Sequence, residues 1–544
     1  MQPRLDLADI QGNVVRAYGR YSFPVARYFF LHFGRADAGR RVVMALRERV
    51  TTAARWPQEQ GRIAKPKVTL NVGFSFFGLY ALGLPTRTLQ GFPTEFADGM
   101  KARAFILGDR DQTLTEEEAA GWDRHWDPIW RENAPFAPTA VHAWLSMNAQ
   151  VEPGTDHPVP ELDEQTDWLR RLCADEGGGH VRLLGGHGRD GAGEWQTGRA
   201  IFAEGPDGTL VPTPREHFGF ADGLGDPIFA GQLDPADERE RLPGRGKLMG
   251  KGWQPLATGE FLLGHADESQ ELPPAPQPWA FSRNGAFMVY RKLHQNVASW
   301  RDYFAAEARR FGAVTGLPED AARITLQAKV VGRWPDGVPL AKAGSFAAWM
   351  ALRAELELDD PAKYYAYLKS PASSDFRYAD DMPGYNAPNA CHLRRVNTRD
   401  YLDPLNDPGA HGPNANPNAT TQLQKRRHIL RRGLPYGSEG GDDDSEQGVV
   451  FMAICASLFR QFEFVQQQWI QYGLDFNAGN NTCPLLGDHT HHRRFAIPAA
   501  PDAGHPPYVC DGLRTFVQPR GGEYFFIPSL TALKMIGMGI VDPT

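Results

Sequence analysis

The feature that most constrains the fold is an apolar pattern whose period changes along the chain. Residues 25–34 (VARYFFLHFG) form a short apolar and aromatic run of the kind that predicts a β-strand. Directly after it, Val43, Leu46 and Val50 recur at spacings of three and four, which predicts an amphipathic helix. The chain therefore begins with a strand followed by a helix.

The same alternation continues through the first 190 residues. Two further strands are predicted at 67–84 and 139–150, and the first of them runs into a short helix. A helix at 165–177 and a strand at 180–188 follow. The order β-α-β-β-α-β, with a long insertion, is that of a ferredoxin-like domain.

A second run of the same kind occupies the C-terminal half. Strands are predicted at 284–297, 447–457 and 521–529, with helices at 298–312 and 459–473. We therefore predict an α+β fold of two ferredoxin-like domains with antiparallel sheets. Their expected bounds are 1–235, ending in the GFADG motif, and 284–544, joined by a loop-rich connection at 236–283.

Composition narrows the function classes. Of the 544 residues, 42% are hydrophobic, and the net charge is −7. The sequence has no basic block, so we expect no nucleic-acid partner. The five cysteines form no CxxC pair, which argues against a disulfide framework and indicates a reducing compartment. Neither a signal peptide nor a membrane-spanning apolar run is apparent, so we expect a cytoplasmic protein with no membrane partner, and secretion stays open.

The segment 216–227 (EHFGFADGLGDP) contains the first candidate site residue, Asp222. Asp-Gly is a common turn dipeptide, so Asp222 could simply mark a turn. Phe218 and Phe220, however, surround its carboxylate with apolar groups, and a buried carboxylate needs partners. A catalytic acid–base group is the second interpretation.

His392 is the candidate metal ligand, because arginines follow it at 394, 395 and 399. Imidazole can bind a metal, and guanidinium groups can pair with the carboxylates of an anionic cofactor. The competing interpretation is a solvated basic strip.

Arg431 and Arg432 follow the apolar pair Ile429-Leu430. If this segment is a strand, the two arginines face opposite ways and one points inward, where it needs an anion. The alternative is a surface loop balanced by the acidic run at 438–447.

Taken together, the segments resemble the dye-decolourising peroxidase family of haem enzymes, of the dimeric α+β barrel type, and in length its larger bacterial members. The resemblance rests on the stretches at 9–19, 92–109, 219–223 (the Gly-x-x-Asp-Gly signature as GFADG), 259–264, 284–297, 392–397, 429–437, 460–476 and 520–529.

The resemblance implies one haem b per chain, held in the C-terminal domain. By position, His392 is similar to the proximal ligand of the haem iron and Asp222 to the distal acid–base residue. Arg431 is similar to the distal arginine, and Arg432 takes that role if the register slips by one residue.

The resemblance also implies supporting residues. Val449 and Phe451 correspond to apolar residues that wall the distal pocket, and Arg399 to a haem-propionate partner, although Thr398 replaces the family's proline before it. The family's carboxylate partner of the proximal histidine has three candidates here: Glu463, Asp475 and Asp488.

The implied activity is reduction of hydrogen peroxide coupled to one-electron oxidation of organic dyes or phenolics, with Mn(II) as a further candidate at the acidic residues 442–444. The unperturbed pKa of aspartate, about 3.9, favours an acidic optimum. The alternatives are a haem-binding carrier or sensor with little peroxidase activity, and other haem chemistry such as chlorite breakdown. A homo-oligomeric state stays open.

Overall fold

The computed structural model describes residues 5–541, except for 20, 60, 111–119, 206, 250–251, 406–418, 439–440 and 492. Within these ranges no helix is both long enough and apolar enough to cross a membrane.

The strands of the described residues are β1 (Val25–Phe33), β2 (Gln58–Glu59), β3 (Arg62–Ile63), β4 (Val68–Phe74), β5 (Ala143–Ala149), β6 (Val181–Leu184), β7 (Gln196–Arg199), β8 (Phe202–Glu204), β9 (Leu210–Pro212), β10 (Lys247–Met249), β11 (Gly252–Gln254), β12 (Ala286–Gln295), β13 (Leu430–Arg431), β14 (Leu434–Gly437), β15 (Gln447–Cys455), β16 (Phe495–Ile497), β17 (Tyr508–Cys510) and β18 (Val517–Ile527).

The α-helices of the same residues are α1 (Gly12–Val15), α2 (Ala36–Arg47), α3 (Phe76–Ala81), α4 (Thr86–Leu89), α5 (Thr94–Asp98), α6 (Ala104–Leu107), α7 (Pro128–Arg131), α8 (Glu161–Asp175), α9 (Pro235–Arg241), α10 (Trp279–Ser282), α11 (Val297–Thr315), α12 (Glu319–Val331), α13 (Phe346–Glu355), α14 (Pro361–Lys369), α15 (His392–Val396) and α16 (Leu530–Met538).

Short helical turns complete the element list. They are 3₁₀-helical at Thr258–Glu260, Pro371–Ser373, Ala379–Asp381 and Leu474–Phe476, and π-helical at Leu458–Glu463 and Val465–Ile470.

The largest sheet in the described part of the molecule has strands from both halves of the chain. Its order is β13-β15-β12-β18-β4-β5-β1-β6, with β14 also pairing with β15 and β7 with β1. Every pairing in it is antiparallel. The α+β class with antiparallel sheets is therefore confirmed, and the long predicted strands of both halves are present.

The two halves of the chain meet in the middle of this sheet. β18, from the C-terminal half, pairs with β4, from the N-terminal half, through Phe526 and Phe74. The strands before β4 in that order come from the second half of the chain, and those after it come from the first half. The predicted domain bounds at 235 and 283 stay a prediction.

Apolar stripes on the helices cover the sheet. Val42, Val43 and Leu46 of α2 are buried, as their spacing predicts, and α2 packs against α16 and α8. On the C-terminal side, α15 packs against α12 and against the π-helical segment Val465–Ile470. This packing holds α15, whose first residue is His392, between these two segments.

Candidate active site

A cavity of about 920 Å³ lies beside the C-terminal half of the sheet. Residues singled out in the sequence line it, among them Asp222, His392, Arg431, Val449 and Phe451. They come from three distant parts of the chain, so the fold brings them together.

The loop that carries Asp222 is built around the carboxylate of Glu216. This carboxylate accepts hydrogen bonds from the backbone N–H groups of Phe218 and Phe220, each at 2.9 Å. Burial raises the pKa of Glu216. Gly219 and Gly223 have φ angles of 91° and 79°, which glycine adopts without strain, and they turn the chain on both sides of Asp222.

Asp222 is paired with Arg431. Arg431 Nη1 donates to Asp222 Oδ1 at 2.8 Å, and Arg431 Nη2 donates to the carbonyl oxygen of Leu224 at 2.9 Å. The side chains of Asp222 and Arg431 are 34% and 38% exposed, because both face the cavity. The pair is thus held by the protein on one side and open to a ligand on the other.

Arg432 has a different environment from Arg431. Its guanidinium donates to Asp226 Oδ2 at 2.8 Å and to the backbone carbonyls of Asn13 and Val14, and its side chain is 2% exposed. Asp226 also accepts the backbone N–H of Arg431 at 3.1 Å. Arg432 anchors the strand, and Arg431 reaches Asp222.

The sheet provides the apolar wall of the cavity. Val449 and Phe451 alternate with buried neighbours along β15, so their side chains point to the same face. Across the strand pair they lie opposite Leu293 and Arg291 of β12, which also line the cavity.

His392 approaches the cavity from the α15 side. Its Nδ1 lies 3.3 Å from the thiol sulfur of Cys483. Burial, with a further contribution from the charge of Arg431, lowers the pKa of His392 to about 4. The imidazole is therefore neutral at pH 7, with Nε2 as the nitrogen available to a metal.

The three carboxylates considered as partners of His392 are engaged elsewhere. Glu463 pairs with Arg103, at 2.6 and 2.8 Å, and accepts the hydroxyl of Tyr524. Asp475 accepts the indole N–H of Trp469, at 3.1 Å. Asp488 lines the cavity, but its carboxylate accepts the backbone N–H and the hydroxyl of Thr490.

Arg399 is the predicted site residue that the structure does not bring to the cavity wall. Its guanidinium lies 3.7 Å above the ring of Phe376 and donates to the carbonyls of Phe376 and Gly244, at 3.0 and 3.1 Å. Arg333 and Arg427 line the cavity instead.

The acidic residues considered for Mn(II) are held by neighbours. Asp443 accepts the backbone N–H and the hydroxyl of Ser299, and Asp444 pairs with Arg189. No group of three or more metal-ligating side chains occurs within the part of the chain that the structure describes. Mn(II) oxidation stays a prediction.

Sequence reasoning missed Glu216, Asp226 and Cys483. Glu216 and Asp226 lie at the edges of the glycine-rich segment, but only the fold reveals that they hold its turn and its arginines. Cys483 is 91 residues from His392, and no spacing signal links them.

The residues present fit a haem. A neutral imidazole with one nitrogen tied by a neighbour could serve as a ligand to haem iron. The apolar side chains of Val449 and Phe451 suit the face of a macrocycle, and Arg333 and Arg427 suit its carboxylates.

Comparisons with known proteins extend over nearly the whole chain. The family model described as "Dyp-type peroxidase, C-terminal" matches residues 319–477. The multifunctional dye peroxidase DyP2 of Amycolatopsis sp. is 27% identical, over 97% of this chain and 96% of its own length. The dye-decolorizing peroxidase msp1 of Mycetinis scorodonius is 25% identical, over 98% of this chain and 88% of its own length.

Solved structures agree in fold. A dye-decolorizing peroxidase in complex with 2,6-dimethoxyphenol covers 98% of this chain and 100% of its own, with a TM-score of 0.67 and 23% identity. A match over 98% of this chain spans both halves of the sheet. The family model over residues 319–477, the near-full-length relatives and the shared fold all make this chain similar to the dye-decolourising peroxidases.

Proposed function

We propose that this chain is a haem peroxidase that reduces hydrogen peroxide and takes electrons one at a time from dyes and phenols. The observation that carries the proposal is the Asp222–Arg431 pair, 2.8 Å apart, which faces the same cavity as the neutral imidazole of His392. A proton-transfer group and a metal ligand thus share one chamber.

His392 is the proximal ligand in this proposal. Burial lowers the pKa of His392 and keeps the imidazole unprotonated at neutral pH, so its lone pair is available to iron. When bound, haem b, one per chain, supplies the redox-active iron at which peroxide is cleaved.

Asp222 moves the proton. Its carboxylate would take a proton from one oxygen of hydrogen peroxide and return it to the other, which is the oxygen that becomes water. Arg431 holds the carboxylate in place and donates to the oxygen on which negative charge develops. An acidic optimum follows from an aspartate in this role.

The remaining predicted residues shape the cavity. Val449 and Phe451 would offer apolar side chains to a macrocycle bound in the cavity. The propionate partner predicted at Arg399 lies behind the cavity wall, and Arg333 and Arg427 are better placed to meet those carboxylates.

The substrate class follows from the relatives. Several are named for dye oxidation, and one solved structure holds 2,6-dimethoxyphenol. For each peroxide, two phenols each lose one electron and one proton, giving two phenoxyl radicals and two waters. A haem carrier or sensor is not favoured, because it would not need a paired Asp222 and Arg431.

The test replaces the proposed iron ligand, His392, by free imidazole. His392→Gly should lose the iron–imidazole bond, and added imidazole should restore the absorption spectrum and the oxidation of 2,6-dimethoxyphenol. His157→Gly, at an exposed position, is the control. An unchanged haem spectrum in His392→Gly without added imidazole would exclude His392 as the ligand.

A further inference from the structure

We propose that the thiol of Cys483, rather than a carboxylate, is the hydrogen-bond partner of the proximal His392, and that it sets the electron donation of this histidine to the iron. The proposal rests on His392 being the iron ligand, as proposed above. It assigns Cys483 a positioning role, since the sulfur reaches the iron only through the imidazole.

The contact between the two side chains is direct. His392 Nδ1 and Cys483 Sγ are 3.3 Å apart, within the range of a hydrogen bond to sulfur. Cys483 is fully buried, so no solvent competes for the imidazole from that side. No other hydrogen bond of His392 Nδ1 is found among the described residues.

The chemistry of ligation fixes the direction of this bond. Iron takes the lone pair of one ring nitrogen, so the other nitrogen of a neutral imidazole must carry the proton. With Nε2 on the metal, Nδ1–H donates and the sulfur of Cys483 accepts. Sulfur is a weak acceptor compared with a charged carboxylate.

A separate set of contacts holds the sulfur in place. Arg395, one turn after His392 in α15, is fully buried and donates to the carbonyls of Trp469 at 2.9 Å, Tyr472 at 3.0 Å and Asn481 at 2.9 Å. These carbonyls belong to the segment that leads into Cys483. The arginine therefore fixes the histidine helix and the cysteine relative to each other.

The Cys483 backbone is tied to the same segment. Its N–H donates to the carbonyl of Ile470 at 2.7 Å, and its own carbonyl accepts the N–H of Gly487 at 2.8 Å. The thiol is thus presented by a backbone with little freedom. Such an arrangement suits a partner that sets the orientation of a metal ligand.

The hydrogen-bond acceptor beside His392 should change the reduction equilibrium of the iron. A carboxylate acceptor draws the Nδ1 proton strongly and makes the imidazole a better donor, which favours ferric iron. A thiol draws the Nδ1 proton less strongly, and an apolar side chain does not draw it at all. The ferric–ferrous midpoint potential should therefore rise in the order Cys483→Asp, wild type, Cys483→Val.

The experiment measures this order in the haem-loaded protein by spectroelectrochemistry. We expect Cys483→Asp to change the reduction equilibrium at least tenfold towards ferric iron, about 59 mV for one electron. The iron–histidine stretching band of the ferrous protein should move to higher frequency in Cys483→Asp and to lower frequency in Cys483→Val. Cys510→Ser, at another buried free cysteine, is the control.

Potentials and bands of both variants that match those of Cys510→Ser would overturn the proposal. If the buried aspartate prevents folding, Cys483→Val against wild type decides alone, because valine fills the site without accepting a hydrogen bond. An iron–histidine band that survives in His392→Gly would instead refute the ligand assignment, and so the proposed function, independently of Cys483.

Discussion

At the scale of single residues, local sequence identified Asp222 but not what holds it. The glycines at 219 and 223 and the flanking aromatic residues make an unusual setting for a carboxylate, and the structure gives it a partner in Arg431. Glu216 holds backbone N–H groups only two and four residues away, whereas Cys483 meets a residue 91 positions away, a contact that no local pattern encodes.

Arg431→Leu tests the charge that faces Asp222. Because the side chain is more than a third exposed, the ion pair contributes under about 1 kcal/mol to stability, and the variant should fold normally. Loss of a donor to the developing charge should slow the reaction with peroxide roughly 10²–10³-fold, measured by stopped-flow absorption. A rate within twofold of wild type would exclude Arg431 from this step.

At the scale of elements, hydrophobic periodicity predicted most of the long strands and helices. β1, α2, β4, β5, α8 and β12 lie where alternation or helical spacing places them. The helix predicted at 459–473 exists but is wound largely as π-helix, and the pairing of β18 with β4 depends on contacts 452 residues apart. Neither feature leaves a periodic signal.

Arg432→Leu tests the anchoring of the β13–β14 edge. The guanidinium is buried, and its removal leaves Asp226 and two backbone carbonyls without this donor. We expect a loss of about 3–5 kcal/mol in the free energy of unfolding, measured with urea. A stability loss in Arg431→Leu larger than in Arg432→Leu would reverse the roles assigned to the two arginines.

At the scale of the whole molecule, several histidines are buried in the neutral form. Burial lowers the pKa values of His142, His187 and His428 to about 3. In the unfolded chain these groups bind protons below about pH 6.5, whereas in the folded chain they do so only near pH 3. Stability is therefore fully present above pH 6.5 and is lost as the pH falls towards 3.

His187→Phe measures one of these contributions. The ring packs beside Phe30, with centroids 5.3 Å apart, so an aromatic replacement fits the site. Acidification from pH 7 to pH 5 should lower the free energy of unfolding by about 2 kcal/mol through His187. The variant should therefore lose about 2 kcal/mol less stability over that pH range than wild type does. His157→Phe, where the imidazole is exposed, should leave the pH dependence unchanged.

This acid sensitivity bears on the proposed activity. An aspartate shuttle favours a low pH optimum, whereas the buried histidines weaken the fold in the same range. The acidic limb of the activity profile should therefore depend on the time spent at low pH before the assay, and initial rates separate the two effects.

The central claim is that Asp222 moves the proton of peroxide beside an iron held by His392. The most direct test mixes haem-loaded protein with one equivalent of peroxide and follows the absorption spectrum in wild type and in Asp222→Asn. Asp207→Asn, which changes an Asp-Gly turn at an exposed site, is the matched control.

We predict that wild type and Asp207→Asn react rapidly and that Asp222→Asn, with the same haem content, reacts at least 10²-fold more slowly. An unchanged rate in Asp222→Asn would contradict the assignment and return Asp222 to the role of a turn residue.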